Sequence, residues 1–481
     1  MILFALIIIP IAVAVLSALS RRARFGSTIT LVGAVAIFVL SVRATLDIVA
    51  SPKHILVAIP NWIALDSLST LILLCIGVVS LTAALFSVGY MDFEKTGGVR
   101  RYYVNFNLFI FSMLIVPMIQ KPSLVWVAVE LTTLFSVLLV SFENTHEALE
   151  AAWKYVVLTI MGAAIALLGF MILYWASKLA GASHHTWSGL LAVAPQMSPV
   201  LLKASFILIL VGFGAKIGLV PLHTWLPDAH SQAPTPVCAL LSGVETTAVL
   251  YVILRLLPIM SVSTAIHVNT WIQIFGLISV GTAAFLLLGV RDYKRLFAFS
   301  TVEHMGIILV AVGIGGTFAH EAAMLQIVGH ALTKSFCFYA AGGVLLVMGT
   351  RDIASVRGLI RHAPLTGVAL LLGGLAIAGA PPFALFLSEF SIFKAGLNQE
   401  EYVVTGLLVL FIAIAFFGIM NHISRMVFGS DDAGYPVRTK SLPVSCKITL
   451  IIAAIPVIVL GVYIPGALQK LIELAEATIG G

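Results

Sequence analysis

Charged residues are scarce in this sequence: Asp, Glu, Lys and Arg make up 10% of its 481 residues, and apolar residues make up 60%. A soluble chain carries about a quarter charged residues, so a soluble globular domain is excluded. Cysteine is scarce too, and Cys75, Cys238, Cys337 and Cys446 stand singly, without a C-x-x-C pair. We therefore expect no iron–sulfur cluster, no structural zinc, and no cofactor or redox centre in this chain.

Long apolar runs separated by short polar stretches fill the chain. A bilayer core about 30 Å thick needs roughly 20 residues of helix, and about fourteen runs have that length. They predict an all-α integral membrane protein whose residues 1–481 form a single polytopic domain. No basic segment precedes the first run, so we interpret it as a retained helix and not as a signal peptide. The predicted helices span 1–20, 27–47, 63–90, 104–119, 123–141, 151–175, 200–221, 236–258, 268–289, 295–314, 319–348, 364–394, 402–428 and 446–468.

The excess of 27 Lys and Arg over 21 Asp and Glu is concentrated in alternate loops, those that follow odd-numbered predicted helices. Short loops of this kind argue for membrane topology and against a nucleic-acid-binding face. The positive-inside rule places these loops in the cytoplasm and both termini on the outer, periplasmic side of the cell (inner) membrane. The basic residues are Arg21, Arg22, Arg24, Lys95, Arg100, Arg101, Arg291, Lys294, Arg295, Arg351, Arg357, Arg361, Arg425, Arg438, Lys440 and Lys447.

Two predicted helices contain helix-breaking residues. Helix 7 has glycines and Pro221 around Lys216, and helix 12 has Pro381 and Pro382 before Glu389. Irregular backbone at membrane depth is tolerated only inside the protein or beside a cavity, and paired broken helices indicate repeats of inverted topology. We expect helices 1–3 at 1–103, a first five-helix repeat (helices 4–8) at 104–258, a second (helices 9–13) at 268–428, and helix 14 at 446–468.

Several ionisable residues lie inside predicted helices. On insertion scales, placing a charge at the centre of a membrane helix costs about 2.5–3.5 kcal/mol of insertion free energy. We therefore treat each such residue as a candidate functional residue. Glu130 lies midway along helix 5 and Lys216 in broken helix 7, and a Glu130–Lys216 pair would be a proton-holding switch. Glu245 gives helix 8 a polar face, although it could instead be a local structural acid.

A second group of ionisable residues lies in the later helices. His330 and Lys334 are four residues apart and share one helix face, a spacing that suits a proton relay. His304 and Glu389 extend the row, whereas the neighbouring Glu303 could instead pair with Arg295. Such a line predicts a conductor of protons or small cations. Weaker candidates are Lys154, Glu303, Lys394 and His422, the last of which could be a packing residue.

The stretch GAKIGLVPLHTWLPDAHSQAPTPVCALLSG at 214–243 resembles the signature of antiporter-like subunits. These subunits occur in respiratory complex I, in Mrp-type cation/proton antiporters and in energy-converting membrane hydrogenases. Within this family the chain is most similar to component F of hydrogenase-4. Further matches are LDSLS (65–69), EAAWKY (150–155), STVEHMG (300–306), HALTKSFCFYAAGG (330–343) and PPFALFLSEF (381–390).

The resemblance implies fourteen helices, inverted repeats and a hydrophilic axis at the membrane mid-plane. Glu130 and Lys216 match the glutamate–lysine pair of the family, Lys334 its central helix-11 lysine, and Glu389 its terminal acid. Glu245 departs from the pattern, because many relatives place a lysine in helix 8; on that ground Glu245→Lys should be tolerated better than Glu245→Leu. The loop motif after helix 7 corresponds to His223, Asp228 and His230.

The leading functional expectation is a non-catalytic, proton-translocating subunit of an energy-converting redox complex, of the hydrogenase-4 or formate hydrogenlyase type. Its partners would be other membrane subunits and, through them, a [NiFe]-hydrogenase or iron–sulfur module. The alternative is a subunit of an Mrp-type Na⁺/H⁺ antiporter or a related ion-coupled uptake complex. A haem- or quinone-binding enzyme using His304, His330 or His422, and a purely structural anchor, are weaker alternatives, since the histidines neighbour charges and an anchor needs no charges at broken helices.

Overall fold

In a computed structural model, the chain is described at residues 1–19, 23–93, 98–430 and 441–480, and most of these residues are helical. Five basic residues used for the topology lie outside the described residues: Arg21, Arg22, Lys95, Arg438 and Lys440. The helices are α1 (Ile2–Leu19), α2 (Ala23–Ala50), α3 (Ser67–Phe93), α4 (Val99–Ile115), α5 (Pro122–Val140), α6 (His146–Leu179), α7 (Trp187–Val193), α8 (Pro199–Ile217), α9 (Trp225–Gln232), α10 (Thr235–Leu240), α11 (Thr246–Met260), α12 (Val268–Leu288), α13 (Tyr293–Ile314), α14 (Thr317–Met348), α15 (Leu359–His362), α16 (Pro364–Ile377), α17 (Ala384–Asn398), α18 (Tyr402–Phe428), α19 (Val444–Val459) and α20 (Gly466–Gly480).

Length and hydropathy support the membrane assignment. Among the described residues, 11 helices are long and apolar enough to cross a bilayer, and α16 and α19 are shorter apolar helices. The continuous helix 235–260 and α13 are the most enclosed, since 100% and 94% of their apolar windows are buried. The predicted all-α integral membrane fold is confirmed, and the most enclosed helices carry the polar residues discussed below.

Contacts between loops show which of them share an end of the bundle. Arg295 forms an ion pair with Asp228 at 2.7 Å, so the loops after predicted helices 7 and 9 lie together. The backbone N–H of Gln120 donates to the carbonyl of Trp62, so the connections after predicted helices 2 and 4 also lie together. This alternation agrees with the predicted topology, whereas the side of the membrane stays a prediction.

Two segments differ from the predicted helices. Residues predicted to begin helix 3 instead form an antiparallel hairpin of β1 (Ile55–Ile59) and β2 (Ile63–Asp66), turning at Asn61 with a φ of 63°. Alternating exposed and half-buried residues along β1 fit a strand better than a helix. Predicted helix 14 was too long, because α19 ends at Val459 and a separate helix, α20, follows Pro465.

The first predicted break is present between α8 and α9. Pro221 has no N–H to donate to the carbonyl of Ile217, so the α-helical ladder cannot continue. Gly218 ends α8 with a φ of 89°, and a Cβ there would overlap Leu226. Glycine is therefore required at this turn, which leaves Lys216 in the last turn of α8.

The second predicted break separates α16 from α17. Pro381 cannot donate to the Ile377 carbonyl, which is thereby free for a side chain. Gly379 has a φ of 73°, and a Cβ at this position would overlap the carboxylate of Glu389. Both breaks are confirmed. The inverted repeats at 104–258 and 268–428 stay a proposal, supported by the matching positions of the breaks.

The helix that carries Glu245 contains an irregularity that the sequence did not predict. A π-helical turn, Leu241–Glu245, joins α10 to α11 without interrupting the rod. Such turns widen the helix locally and leave backbone groups available to side chains, and they are frequent at functional sites. Here the turn lies in the most buried helix of the described chain.

Candidate functional site

Lys216 lies at the centre of a buried polar cluster formed by α5, α6, α8 and the π-helical turn. Its ammonium Nζ is 3.0 Å from Oε1 of Glu245 and donates to the hydroxyls of Thr133 at 2.5 Å and Tyr155 at 3.3 Å. Lys216 and Glu245 are each only 2% exposed. The Oε1 atom of Glu245 also accepts from Thr132 at 2.9 Å. The arrangement is a solvent-excluded ion pair with its lysine held by two hydroxyl groups.

Glu130 does not make the contact that we expected. In the described part of the chain, Lys216 forms its ion pair with Glu245, and no ion pair joins it to Glu130. Glu130 is half-buried, within electrostatic range of both Lys216 and Glu245, and its Oε1 atom has no described partner. The predicted Glu130–Lys216 contact is therefore wrong for this conformation. The physical reason is that Thr133, one turn further along α5, occupies the position next to the ammonium group.

The π-helical turn connects this first cluster to a second one. Glu245 ends the turn, and the carbonyl of Ser242, within the turn, lies 3.1 Å from Nε2 of His330 in α14. The Ser242 hydroxyl also shares a hydrogen bond of 2.6 Å with Thr301 in α13. The three helices whose apolar windows are most buried are thus joined at one point.

Two histidines begin the second cluster. The rings of His304 and His330 have centroids 5.5 Å apart, and both residues are buried, at 1% and 0% exposed. Nε2 of His304 lies 3.0 Å from the Ile377 carbonyl, the group that the break in the α16–α17 helix leaves without a backbone partner. The Nδ1 atom of His330 has no described partner. The helix break thereby orients one of the two rings.

Gln326 links the histidines to Glu389. Its side-chain nitrogen lies 3.0 Å from Nδ1 of His304 and 3.5 Å from Oε1 of Glu389, while its oxygen accepts from Ser388. Nδ1 of His304 and Oε1 of Glu389 are themselves 3.9 Å apart. The structure thus brings together His304, His330 and Glu389 as the sequence predicted, and it adds Gln326 as the bridging amide.

Lys334 shares the α14 face with His330, but it reaches a different partner. Its Nζ donates to the Phe297 carbonyl at 2.6 Å and to the Ser300 hydroxyl, both in α13. Glu303 is also buried, and its Oε2 atom has no described partner. The suggested Glu303–Arg295 pair is not formed, because Arg295 binds Asp228 instead.

The loop motif after α8 consists of one charged residue, Asp228, and two neutral histidines, His223 and His230. Asp228 accepts from Lys154 at 3.1 Å and from Arg295 at 2.7 Å, so it fastens α9 to α6 and α13. Burial lowers the pKa of His230 to about 3, and burial also lowers the pKa of His223, so both rings are neutral at pH 7. Nε2 of the fully buried His230 has no described partner.

The remaining weaker candidates lie away from the two clusters. His422 points its Nε2 at the Leu287 carbonyl, 3.1 Å away, in a contact that supports the packing interpretation. Lys394 places its ammonium 5.5 Å from the ring centre of Phe318. A cavity of about 160 Å³ lies between α14, α17 and α20 and is lined by Glu321, Ser391 and Gln469 among others. Among the residues that the structure describes, no group of three His, Cys, Asp or Glu side chains could hold a metal ion.

Comparisons with known proteins identify the family. Residues 123–416, more than half of the chain, match the family described as NADH:quinone oxidoreductase/Mrp antiporter, transmembrane. The chain belongs to the NADH:quinone oxidoreductase/Mrp antiporter family. A hydrogenase-4 component F homolog of Methylacidiphilum infernorum (isolate V4) is 36% identical over 416 residues, covering 84% of this chain and 86% of the relative. The resemblance found in the sequence is confirmed.

Two solved structures share the antiporter-family fold. A chain of the membrane-bound sulfane sulfur reductase, an archaeal respiratory membrane complex, has a TM-score of 0.89 at 24% identity and covers 99% of this chain and 97% of that chain. A chain of the Mrp complex from Dietzia sp. DQ12-45-1b has a TM-score of 0.87 at 18% identity. The match covers 100% of this chain and 97% of that chain. These likenesses concern the fold. By its family match the molecule is an antiporter-like membrane subunit, and its relatives are subunits of multisubunit membrane complexes.

Sequence reasoning missed the neutral partners of the charged residues in this antiporter-family chain. Thr133 was passed over as an ordinary helix residue, and Tyr155, although inside the EAAWKY match, was not given a role. Gln326 had a usable signal, because it precedes His330 by four residues and so shares its helix face. A search for amides at relay spacing would have found it.

Proposed function

We propose that this chain translocates protons as the antiporter-like membrane subunit of an energy-converting redox complex of the hydrogenase-4 or formate hydrogenlyase type. Redox chemistry would take place in a [NiFe]-hydrogenase or iron–sulfur module bound through other membrane subunits. The name of the Methylacidiphilum relative, a hydrogenase-4 component F homolog, supports this assignment. The buried side chains support the proton-moving part of it independently.

The observation that carries the proposal is a row of buried contacts from Lys216 to Glu389. It runs through Glu245 and the π-helical turn to His330, across 5.5 Å between ring centres to His304, and then through Gln326. Each ionisable member can exchange a proton, and isolated charges inside a membrane are too costly to be retained for packing alone. Unpartnered atoms on Glu245 and His330 leave room for a proton to bind without displacing an existing contact.

The two clusters can influence each other through their charges. In a low-dielectric interior, unit charges interact far more strongly than in water. A proton that neutralises Glu245 would leave the Lys216 ammonium unbalanced and favour release of a proton from Lys216. At the other end, protonation of His304 would attract the carboxylate of Glu389, 3.9 Å away. We propose that alternating charge states of this kind move protons along the row.

A matched pair of histidine variants tests the proposal. His330→Gln removes a titratable ring on the row, whereas His422→Gln removes a ring with a similar carbonyl contact away from it. In vesicles that contain the intact complex and a pH-sensitive dye, we expect proton uptake to be lost in His330→Gln and retained in His422→Gln. Normal uptake in an assembled His330→Gln complex would contradict the proposal.

The second candidate function is a subunit of an Mrp-type Na⁺/H⁺ antiporter or a related ion-coupled uptake complex. The full-length likeness to a chain of the Mrp complex favours it, although likeness at 18% identity concerns the fold alone. Both functions use the same buried residues. A sodium gradient imposed on the vesicles would move protons if the chain belongs to an antiporter complex. It would leave the internal pH unchanged if the chain belongs to the redox complex. Identification of the co-purified subunits would decide between the two assemblies.

A further inference from the structure

A cavity outside the proton row lies where α12 ends and α13 begins. It has a volume of about 570 Å³, within the range of small-ligand sites. Its polar side is formed by Arg291, Arg295 and the amide of Gln232. Its apolar side is formed by Phe285, Leu286 and Phe299. We call this cavity the α12–α13 cavity.

The cavity has an excess of positive charge. Arg291 is exposed, and its guanidinium makes no ion pair or hydrogen bond with the described residues. Arg295 donates one nitrogen to Asp228, and its side chain is still 44% exposed. The only acid in the lining, Asp292, uses one oxygen to cap α13 through the N–H groups of Lys294 and Arg295, and its other oxygen faces Arg351 at 3.9 Å. An anion in the cavity would therefore meet two guanidinium groups and an acid already satisfied by other partners.

The opposite side of the cavity continues into the bilayer-facing surface. Phe285 is 58% exposed and Leu286 is 39% exposed on the last turns of α12, which is part of the apolar span 264–288. Phe299 lies in the second turn of α13, also an apolar span. Because the apolar span of α12 ends here and that of α13 begins, we expect the guanidinium groups at the level of lipid headgroups and the aromatic rings at the level of acyl chains.

We propose that the α12–α13 cavity binds the headgroup of an anionic phospholipid. Its phosphate would lie between Arg291 and Arg295 with the Gln232 amide as a further donor, and its acyl chains would lie along Phe285, Leu286 and Phe299. Arginine suits this position because its planar fork of donors matches phosphate oxygens. The basic loops of this end are those that the positive-inside rule places in the cytoplasm, where anionic lipids give the membrane surface its negative potential.

The amphipathic lining argues for a lipid over a soluble anion. A free phosphate would use the arginines but would leave the apolar side, formed by Phe285, Leu286 and Phe299, without a ligand. A zwitterionic lipid would use the apolar part but would gain little from two guanidinium groups. The shared Arg295 also connects the cavity to Asp228, so a bound phosphate would add to the network that holds α9.

The test measures lipid retention by the complete complex purified from membranes. Native mass spectrometry and thermal unfolding would be recorded after delipidation and addition of phosphatidylglycerol, phosphatidylcholine or inorganic phosphate. Removing one arginine near an anionic headgroup weakens attraction by about fivefold. We therefore expect Arg291→Gln to reduce phosphatidylglycerol retention about fivefold and to lower the stabilising effect of this lipid. Arg361→Gln, a matched loss of an exposed arginine outside the cavity, should leave both unchanged.

Each alternative result has a definite meaning. Stabilisation of wild type by inorganic phosphate to the same extent as by phosphatidylglycerol would show a soluble-anion site and overturn the lipid assignment. Equal retention of phosphatidylcholine would show an apolar groove without headgroup selectivity. Equal phosphatidylglycerol retention by Arg291→Gln and wild type would place the lipid elsewhere and overturn the proposal. If Arg291→Gln loses retention, a second variant, Arg295→Gln, should lose it as well.

Discussion

Lys216 and Glu245 form a buried ion pair, and the two residues depend on each other for stability. Burying two charges costs several kcal/mol for each ion after relaxation, and the cost is offset only by good geometry and further hydrogen bonds. Here Thr132, Thr133 and Tyr155 supply those bonds. The pair is therefore satisfied as a unit, and losing either charge leaves the other exposed to a low-dielectric interior.

The first prediction separates stability from function at this pair. Lys216→Met leaves the Glu245 carboxylate without its cation, which should destabilise the protein by about 3–5 kcal/mol, the cost of breaking a buried pair. The double variant Lys216→Met with Glu245→Gln removes both charges and should restore assembly, while proton movement stays absent. Thermal unfolding and dye-reported flux would be measured on each. If the double variant were as unstable as the single one, Lys216 and Glu245 would not depend on each other for stability.

The ion pair also reverses our expectation for Glu245→Lys. The family comparison alone favoured a basic residue at position 245, yet the structure places its side chain 3.0 Å from the Lys216 ammonium. Two buried ammonium groups at that separation would repel. From the structure we expect Glu245→Lys to assemble less well than Glu245→Leu, measured as the yield of intact complex. The opposite order would indicate that Lys216 turns towards Glu130 when position 245 is basic.

Gln326 provides a test of the second cluster that changes no formal charge. Gln326→Leu removes the amide between His304 and Glu389 at nearly constant volume, so proton flux should fall at least tenfold if the row conducts. Gln273→Leu is a matched control, because Gln273 is also a buried amide and donates to the Gly313 carbonyl away from the row. Vesicle flux would be normalised to assembled complex. Equal loss in both variants would point to a general packing effect.

The elements that were predictable from sequence are those whose cause is local. Pro221 and Pro381 removed specific backbone donors, so both helix breaks could be located within a few residues. The π-helical turn at Leu241–Glu245 had no such marker, because its residues suit an ordinary helix and only packing against α13 and α14 distinguishes it. The expected Glu130–Lys216 contact was wrong for the same reason: the choice of partner depends on how helices are rotated against each other.

The sequence did not predict the C-terminal helix α20, because the apolar stretch 446–468 is typical of one continuous helix. Its buried residues Leu471, Ile472, Ala475 and Ile479 recur at helical spacing and pack on α3 and α14. Leu471→Ala should destabilise the protein by about 2–5 kcal/mol, as for other buried leucines. Val462→Ala, at a side chain that is 76% exposed, should have little effect. Thermal unfolding midpoints would be compared, and equal midpoints would show that α20 docks weakly.

At the scale of the whole molecule, the buried row joins the two halves of the chain. Lys216 and Glu245 belong to the proposed first repeat, and His304, His330 and Glu389 to the second. They meet where the π-helical turn contacts α13 and α14. Composition and hydropathy predicted the all-α membrane class because burial in lipid constrains every helix alike. The place where the two halves meet was not predictable, since it depends on contacts between segments that share no local sequence signal.

The orientation of the molecule in the membrane is the remaining global prediction. Both termini are proposed to lie on the outer side, with the basic loops in the cytoplasm. Lys53, exposed in the connection after α2, and Arg361, exposed in α15 after α14, should therefore lie on opposite sides. Single cysteines at these two positions would be treated with a membrane-impermeant thiol reagent in intact cells and in inverted vesicles.

The four native cysteines are all buried, so background labelling should be low. We expect Lys53→Cys to react in intact cells and Arg361→Cys only in inverted vesicles. The reverse pattern would keep the alternation of loops but invert the molecule, placing the α12–α13 cavity in the outer leaflet. Labelling of both positions from one side would contradict the alternation itself, because α3 to α14 would then have to cross the membrane an even number of times.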